Sequence, residues 1–354
     1  MEIDIIKILQ IAIDYKASDI HIISGIPITY KVGDKHIAAE QYVMMPEDTK
    51  TAVEGLYTLA YKKTISDLNK GDDDFAVMIP NVGRFRVNVY WQRFSMAAVI
   101  RTVSFKIPNP AELNIPDTII NLANYKRGIV LITGTTGSGK SSTLACLIDK
   151  INNTKINHII TIEDPIEFRH DHKKSVISQR EVGTDTESYS SALRAAMRQA
   201  PDVLLIGEMR DLDTIKTAIS AAETGHLVFS TLHTMGAANT IDRIIDVFPP
   251  GQQNQIRIQL SITLQAVVSQ QLLPCNDDIM RPAFEILIMN SAARNLVREG
   301  KSHQIDNVIQ TNAALGMISM DTMILELLRR KHISRETALA YCVNRQDLLK
   351  RSGY

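Results

Sequence analysis

The sequence contains few cysteines, no excess of charge of either sign and no long apolar run. Its 354 residues include three cysteines, Cys146, Cys275 and Cys342, and no CxxC pair, so we expect neither a disulfide framework nor a cysteine-based zinc site. Lys plus Arg and Asp plus Glu number 39 each. The zero net charge argues against duplex DNA or an anionic membrane as the main partner. No run of about 18 apolar residues occurs, so no transmembrane helix is expected.

The N-terminal segment is apolar but is interrupted by Glu2, Asp4, Lys7 and Asp14. A signal peptide needs an uninterrupted apolar core after a basic start, so this segment does not match one. Together with the scarcity of cysteine, this predicts a cytoplasmic protein. The length predicts two domains, at roughly 100–200 residues for each.

Residues 1–105 predict a small α+β domain. Apolar spacing predicts one helix in 1–15 and another within 47–69. Strands are predicted at 18–23, 83–91 and 97–103, with short strands and a hairpin turn over 26–34. In the strand 83–91, Phe85, Val87, Val89 and Trp91 are expected to share one face.

The segment 106–116 holds three prolines and is the predicted linker. Beyond it, residues 117–275 predict a doubly wound α/β core, because short apolar strands alternate with helices. The strands are predicted at 128–134, 158–164, 202–208 and 226–232, and the helices at 141–151, 187–199 and 211–223. Residues 276–354 predict a mostly helical region, with helices at 291–300, 319–331 and 334–343 and one strand at 283–288.

The segment GTTGSGKS (134–141) matches the pattern G-x-x-x-x-G-K-[ST] between a predicted strand and a predicted helix. Glycines let backbone N–H groups point at phosphate oxygens, and the helix N-terminus adds partial positive charge. Lys140 is expected to reach the β- and γ-phosphates of ATP, and the Ser141 hydroxyl to bind Mg²⁺. The predicted nucleotide-binding residues are Gly134, Thr135, Thr136, Gly137, Ser138, Gly139, Lys140, Ser141 and Ser142.

Two glutamates, Glu163 and Glu208, end predicted strands. Ligands of an open α/β sheet lie beyond the carboxyl ends of its strands, so both should face the same nucleotide. One would act on the metal ion and the other on the attacking water. Gly207 stands where such a strand usually ends in aspartate. Helix N-capping is the alternative role for acidic residues here, and we favour it for Asp211.

Histidines bracket the strand 226–232. His233 lies at the carboxyl end, where ligands bind, and His226 lies at the opposite end. Their spacing places them on opposite sides of a strand, so they should not share a metal ion. The run His170-Asp171-His172 is flanked by cationic residues and predicts an exposed basic loop, because cations repel a metal ion.

Three arginines, Arg84, Arg86 and Arg101, lie on predicted strands of the first domain. A solvated sheet face is one explanation for them. The other is contact with phosphate in a neighbouring subunit, as arginine fingers make.

Taken together, four motifs resemble those of the secretion-system hexameric ATPases in order and spacing. They are GTTGSGKS (134–141), TIEDPIE (161–167), DVLLIGEMRD (202–211) and TGHLVFSTLHT (224–234), which resemble the Walker A motif, Asp box, atypical Walker B motif and His box. RFRVNVYWQR (84–93), SQREVGTDT (178–186) and IIDVFPPGQQ (244–253) resemble the PilT-type twitching-motility ATPases of the pilus retraction branch. AARNLVRE (292–299) departs from that branch at Ala293 and Val297, where isoleucine is usual.

The resemblance implies a PAS-like N-terminal domain, a RecA-like ATPase domain and a homohexamer with ATP between the two domains. It implies that Glu163 is the general base, that Glu208 serves Mg²⁺ and that His233 contacts the γ-phosphate region. Arg86 and Arg101 match the arginine fingers of the family. Pilus assembly ATPases usually carry a four-cysteine zinc motif in the C-terminal domain. In this sequence only Cys275 lies near that region, so no zinc is expected.

The predicted function is therefore a cytoplasmic, Mg²⁺-dependent hexameric ATPase that powers type IV pilus retraction. It would work at the inner face of the cell membrane on the platform protein of the pilus machine, without binding nucleic acid directly. The alternatives are a pilus-extension, type II secretion or conjugation ATPase, and, from another class, a RecA-like nucleic-acid translocase.

Overall fold

The computed structural model describes residues 3–33, 35–38, 41–60, 71–80, 82–103, 107–277 and 279–352. The chain divides into two compact units, residues 1–106 and 107–354, and the division falls at the start of the proline-rich segment. No helix in these described ranges is long and apolar enough to cross a membrane. The second helix is predicted within 47–69, and residues 61–69 of that range lie outside the described residues.

The N-terminal unit is an antiparallel sheet with two helices. Its described strands are β1 (Asp19–Ile22), β2 (Thr29–Val32), β3 (Lys35–Ala38), β4 (Asp72–Ile79), β5 (Gly83–Gln92) and β6 (Ser95–Val103), in the order β3-β2-β1-β6-β5-β4. Its helices are α1 (Ile5–Asp14) and α2 (Pro46–Leu59). The expected strands at 83–91 and 97–103 are confirmed as the antiparallel neighbours β5 and β6.

Strand β5 shows how sequence alternation builds the core of this unit. Phe85, Val87 and Val89 are fully buried and pack with residues of both helices and the neighbouring strands. Trp91 is 41% exposed, although the alternation of β5 places it on the same face as these three residues. It lies opposite Met96, next to the β5–β6 hairpin turn.

The C-terminal unit is a mostly parallel sheet of the doubly wound kind. Its described strands are β7 (Gly128–Thr133), β8 (His158–Glu163), β9 (Val176–Glu181), β10 (Val203–Ile206), β11 (Leu227–Leu232), β12 (Leu264–Pro274) and β13 (Met280–Ile288), in the order β13-β12-β7-β11-β10-β8-β9. All neighbours are parallel except β12 and β13.

Helices flank this sheet and continue to the C-terminus. They are α3 (Asp117–Ile120), α4 (Lys140–Thr154), α5 (Tyr189–Ala196), α6 (Leu212–Glu223), α7 (Ala237–Asp246), α8 (Pro250–Thr263), α9 (Ser291–Arg298), α10 (Ile305–Thr311), α11 (Met320–Arg329), α12 (Arg335–Tyr341) and α13 (Arg345–Ser352). The α/β fold class predicted from the sequence is confirmed.

The central strands are apolar throughout because both faces of the sheet are covered. On β7, Leu131 packs into the cluster on one face, and Val130 and Ile132 pack into the cluster on the other. Full burial of each such side chain contributes about 1.5–3 kcal/mol. A strand with this pattern cannot lie at the surface, which fixes β7, and the loop that follows it, in the middle of the sheet.

The sequence analysis missed strands β9 and β12. Strand β9 mixes apolar and polar residues because it lies at the edge of the sheet. Strand β12 carries buried polar residues, Ser269, Gln270 and Gln271, which break the apolar pattern. The strand expected at 283–288 extends over Met280–Ile288 and pairs with β12, so the core sheet continues past residue 275.

Candidate active site

The loop between β7 and α4 is shaped by glycines. Gly134, Gly137 and Gly139 all have positive φ angles, at 141°, 77° and 88°, a region that other residues rarely adopt. A Cβ on Gly139 would lie 2.8 Å from Nε2 of Gln270, and one on Gly134 would overlap the Gln270 carbonyl. Gln270 on β12 therefore lies directly against the loop. Its backbone carbonyl excludes a Cβ at Gly134, and at Gly139 the positive φ angle favours glycine.

Lys140 begins α4 and its side chain is buried against this loop. Its Nζ donates hydrogen bonds of 2.8 Å to the carbonyl oxygens of Gly134 and Thr135. Burial lowers the pKa of Lys140, and the carboxylates of Glu208 and Glu167 act in the opposite direction. The ammonium is thus held in a defined position at the N-terminus of a helix, as phosphate binding requires.

A cavity of about 510 Å³ opens beside the loop. Of the predicted nucleotide-binding residues, it is lined by Thr136, Gly137, Gly139, Lys140, Ser141 and Ser142. Gly134 and Thr135 hold the lysine instead. The hydroxyl of Ser138 is buried without a hydrogen-bond partner among the described residues. Glu163, Glu208 and His233 line the same cavity, so the structure brings these predicted residues together.

Glu163 lies at the end of β8, with its carboxylate inside the cavity wall. Its Oε1 accepts hydrogen bonds from the Thr161 hydroxyl at 2.7 Å and from Nε2 of Gln179 at 3.3 Å. Burial raises the pKa of Glu163 to about 7, although both hydrogen bonds favour the ionised form. A carboxylate with this pKa can take a proton at neutral pH and release it again.

Glu208 follows β10 and has cationic and imidazole neighbours. Its Oε2 lies 2.7 Å from Nη2 of Arg210 and 3.4 Å from Nε2 of His233. The other ring nitrogen of His233, Nδ1, lies 3.3 Å from the hydroxyl of Thr136. His233 therefore links Glu208 to the loop 134–141 at the carboxyl edge of the sheet, where the sequence analysis placed it; its contact with phosphate stays a prediction.

Gly207 has a physical reason to be glycine. A Cβ at this position would lie 2.9 Å from the hydroxyl oxygen of Tyr189 and 3.3 Å from Cα of Glu163. Tyr189 lies on α5 and lines the cavity; burial raises the pKa of its hydroxyl. An aspartate in place of Gly207 would therefore push against the backbone of Glu163. The carboxylate next to this position is that of Glu208, one residue later.

The two predicted arginine fingers are cross-strand partners in the N-terminal unit. Arg86 on β5 lies opposite Arg101 on β6, and Nε of Arg101 donates a 2.9 Å hydrogen bond to Asp19. Although burial acts to raise it, hydrogen bonds from Arg101 and Ser18 lower the pKa of Asp19. The Arg101 side chain remains 70% exposed. Contact of either arginine with phosphate stays a prediction.

His170 lies in the β8–β9 loop (164–175). Residues 169 and 171–174 of this loop are exposed, as predicted, but His170 itself is buried, so its predicted exposure is wrong. Its side chain is 9% exposed and lines the cavity, and burial lowers its pKa to about 4. The loop packs along α4, where Asn152 bonds the backbone of Asp171 and Lys173. No group of three His, Cys, Asp or Glu side chains suited to a metal ion occurs within the described ranges.

The expected capping role of Asp211 is confirmed. Its carboxylate accepts hydrogen bonds from the backbone N–H of Thr214 at 2.8 Å and from the hydroxyl of Thr214.

Residues that the sequence analysis missed also line or support the cavity: Tyr189, Arg210, Gln179 and Gln270. Arg210 belongs to the quoted DVLLIGEMRD segment and could have been found there. Gln179 belongs to the quoted segment SQREVGTDT (178–186), but its contact with Glu163 depends on the pairing of β9 with β8. Tyr189 and Gln270 belong to none of the quoted motifs and reach the site through the packing of α5 and β12.

Comparison with known proteins identifies the family. The model of the family described as Type II/IV secretion system protein matches residues 1–338. The chain is 44% identical over 337 residues to the type IV pilus retraction ATPase PilT of Pseudomonas aeruginosa, covering 95% of this chain and 97% of the relative. It is 51% identical over 276 residues to a twitching motility protein of Neisseria gonorrhoeae, covering 78% of this chain and 74% of the relative.

A solved structure of the pilus retraction motor PilT with bound ADP superposes with a TM-score of 0.91 at 43% identity. The match covers 99% of this chain and 100% of the solved chain. This confirms the fold expected from the motifs, an N-terminal domain followed by an ATPase domain. The chain therefore belongs to the type II/IV secretion system protein family, as a P-loop ATPase that is similar along nearly its whole length to the pilus retraction ATPases.

Proposed function

We propose that this ATPase powers the retraction of type IV pili, as a Mg²⁺-dependent homohexamer. The observation that carries the proposal is the meeting of Lys140, Glu163 and Glu208 in one cavity, in a chain that matches pilus retraction ATPases from end to end. A protein that only bound nucleotide would have no need for a complete hydrolytic set.

ATP would bind with its phosphates on the loop 134–141. Gly137 has open space where a Cβ would stand, so backbone N–H groups can approach phosphate oxygens closely. The Lys140 ammonium, already fixed by two carbonyls, supplies positive charge at the β- and γ-phosphates. The N-terminus of α4 adds its partial charge.

Glu163 is the proposed general base. It would take a proton from a water molecule whose oxygen attacks the γ-phosphorus while the bond to the β-phosphate oxygen breaks, releasing ADP and phosphate. Its pKa of about 7 suits this role, because a base works best when its pKa lies near the operating pH. In Glu163→Gln, ATP should still bind and turnover should fall by about 10²–10⁴-fold.

The residues of the cavity fit a magnesium ion. Ser141 and Glu208 both line it, and hydroxyl and carboxylate oxygens are the donors that Mg²⁺ prefers. The ion would neutralise charge that develops on the phosphates. To bind the ion, the Glu208 carboxylate would give up its contact with Arg210. No zinc site is proposed.

Assembly and location complete the proposal. Arg86 and Arg101, exposed on adjacent strands, would reach the nucleotide of a neighbouring subunit in the ring as arginine fingers do. The ring would work in the cytoplasm, at the inner face of the membrane, and act on the platform protein of the pilus machine. It would not bind nucleic acid directly.

The test is a count of surface pili on cells that lack this protein. Retraction predicts more pili together with loss of surface motility, because extension is then unopposed. Bald cells would assign the motor to pilus assembly. An unchanged count would move it to another secretion machine, and turnover stimulated by DNA would favour a nucleic-acid translocase.

A further inference from the structure

We propose that Gln179 is a positioning residue for ATP hydrolysis, because its amide holds the carboxylate of Glu163 in place. Gln179 lies on β9, the strand that pairs with β8, and its register places it opposite Thr161. It does not line the cavity itself and would act through Glu163. The inference therefore rests on the role proposed above for Glu163.

The orientation of the Gln179 amide is determined by two backbone groups of the β8–β9 loop. Its Oε1 accepts a 2.8 Å hydrogen bond from the N–H of His170, and its Nε2 donates a 2.9 Å hydrogen bond to the carbonyl of Phe168. Reversing the amide would set two donors against each other and two acceptors against each other. Nε2 must therefore be the atom that faces Glu163.

An amide nitrogen carries two hydrogens, and the second points at the catalytic carboxylate. One hydrogen is used by Phe168, and the other reaches Oε1 of Glu163, 3.3 Å from Nε2. Because a nitrogen in this position can only donate, it stabilises the ionised carboxylate and not the protonated one. Together with the Thr161 hydroxyl, it fixes one oxygen of Glu163.

The other groups around Glu163 come from the β8–β9 loop and from α5. Glu167 of the β8–β9 loop bonds the carboxylate through its backbone N–H and opposes ionisation through its charge. Tyr189 on α5 interacts with Glu163, Asp164 and Glu208, and its hydroxyl stays neutral. Removing the Gln179 donor from this acidic surrounding should therefore make Glu163 harder to ionise.

The β8–β9 loop offers a matched control. Gln179 holds this loop near Glu163, through Phe168 and His170. Asn152 on α4 holds its other end, by donating to the Asp171 carbonyl and accepting from the Lys173 N–H. Asn152→Ala loosens the loop without removing a donor to Glu163, so it separates a merely structural effect from an effect on the base.

The experiment measures ATP turnover against pH for the full-length protein with Mg²⁺. For Gln179→Leu we expect kcat to fall by about 10–100-fold, the effect of losing a hydrogen bond to a charged group. KM for ATP should stay within about twofold, because the phosphate-binding loop is unchanged. The acidic limb of the kcat profile should move to higher pH. In Asn152→Ala that limb should stay in place.

A second variant covers the case in which Gln179→Leu fails to fold. Gln179→Glu keeps the size and an acceptor for the His170 N–H, but it places a second carboxyl beside Glu163. The acidic limb should move upward here as well. An unmoved limb in the folded variants, or an equal movement in Asn152→Ala, would overturn the proposal.

Combination with Glu163→Gln separates this inference from the proposed role of Glu163. If Gln179 acts through Glu163, adding Gln179→Leu to Glu163→Gln should cause little further loss of kcat, whereas independent effects would multiply. A multiplied loss contradicts the positioning role alone. A Glu163→Gln protein that keeps more than about a tenth of its turnover would instead remove the general base assignment itself.

Discussion

Replacing Glu163 with glutamine should stabilise the nucleotide-free protein, and the gain should depend on pH. Burial raises the pKa of this carboxyl from 4.5 to about 7. The folded protein therefore keeps the proton up to about pH 7, while the unfolded chain releases it near its ordinary value. The free energy of unfolding falls as the pH rises between these two values, and the full penalty is present above them.

The magnitude follows from the size of the shift. A rise of about 2.5 pH units, at 1.36 kcal/mol for each unit, corresponds to about 3 kcal/mol of stability lost at alkaline pH. Glutamine is neutral and its carbonyl oxygen can still accept from Thr161 and Gln179. Glu163→Gln should thus recover about 3 kcal/mol, or roughly 6–12 °C in melting temperature for a unit of this size.

Thermal unfolding of the nucleotide-free protein at about pH 5 and about pH 8.5 tests this reasoning. The gain of Glu163→Gln over the unsubstituted protein should be present at the higher pH and small at the lower one. Glu208→Gln is the matched control: its carboxylate contacts Arg210 and His233, so its neutralisation should bring no such gain. An equal gain at both pH values, or none at either, would refute the assigned penalty.

Three further predictions concern Gly207, Lys140 and Asp211. Gly207→Ala should destabilise the protein and lower turnover, because its Cβ would lie 2.9 Å from the Tyr189 hydroxyl; Tyr189→Phe in the same chain should restore part of both in melting and ATPase assays. Lys140→Ala should abolish ATP turnover and weaken nucleotide binding, measured by calorimetry; activity like that of the unsubstituted protein would contradict the phosphate-binding role. Asp211→Ala should cost about 1 kcal/mol of stability with turnover retained, as for loss of a helix N-cap; a loss of turnover with unchanged stability would indicate a catalytic role instead.

The parts of the site that could be predicted from the sequence are those that a short stretch of chain specifies. The loop 134–141 joins a fully buried strand to a helix, so its glycines and Lys140 are recognisable without tertiary information. Glu163 and Glu208 follow from the rule that parallel strands present their carboxyl ends at one edge. The structure places Gly137, Gly139, Lys140, Glu163 and Glu208 in one cavity.

The parts that could not be predicted depend on which strands are neighbours. Gln179 reaches Glu163 because edge strand β9 pairs with β8, and Gln270 contacts Gly139 because β12 pairs with β7. Neither pairing can be inferred from the local pattern, since β9 and β12 mix polar with apolar residues. His170 was predicted to be exposed from its charged neighbours, whereas packing of its loop along α4 buries the ring.

The central claim, that ATP hydrolysis in this cavity retracts pili, is tested most directly by one substitution in cells. Surface pili are counted by electron microscopy on cells whose only copy of the protein carries Glu163→Gln, with the protein level checked by immunoblot. The account predicts more pili than on unmodified cells and no twitching motility. Bald cells, or a normal pilus number with normal motility, would contradict it.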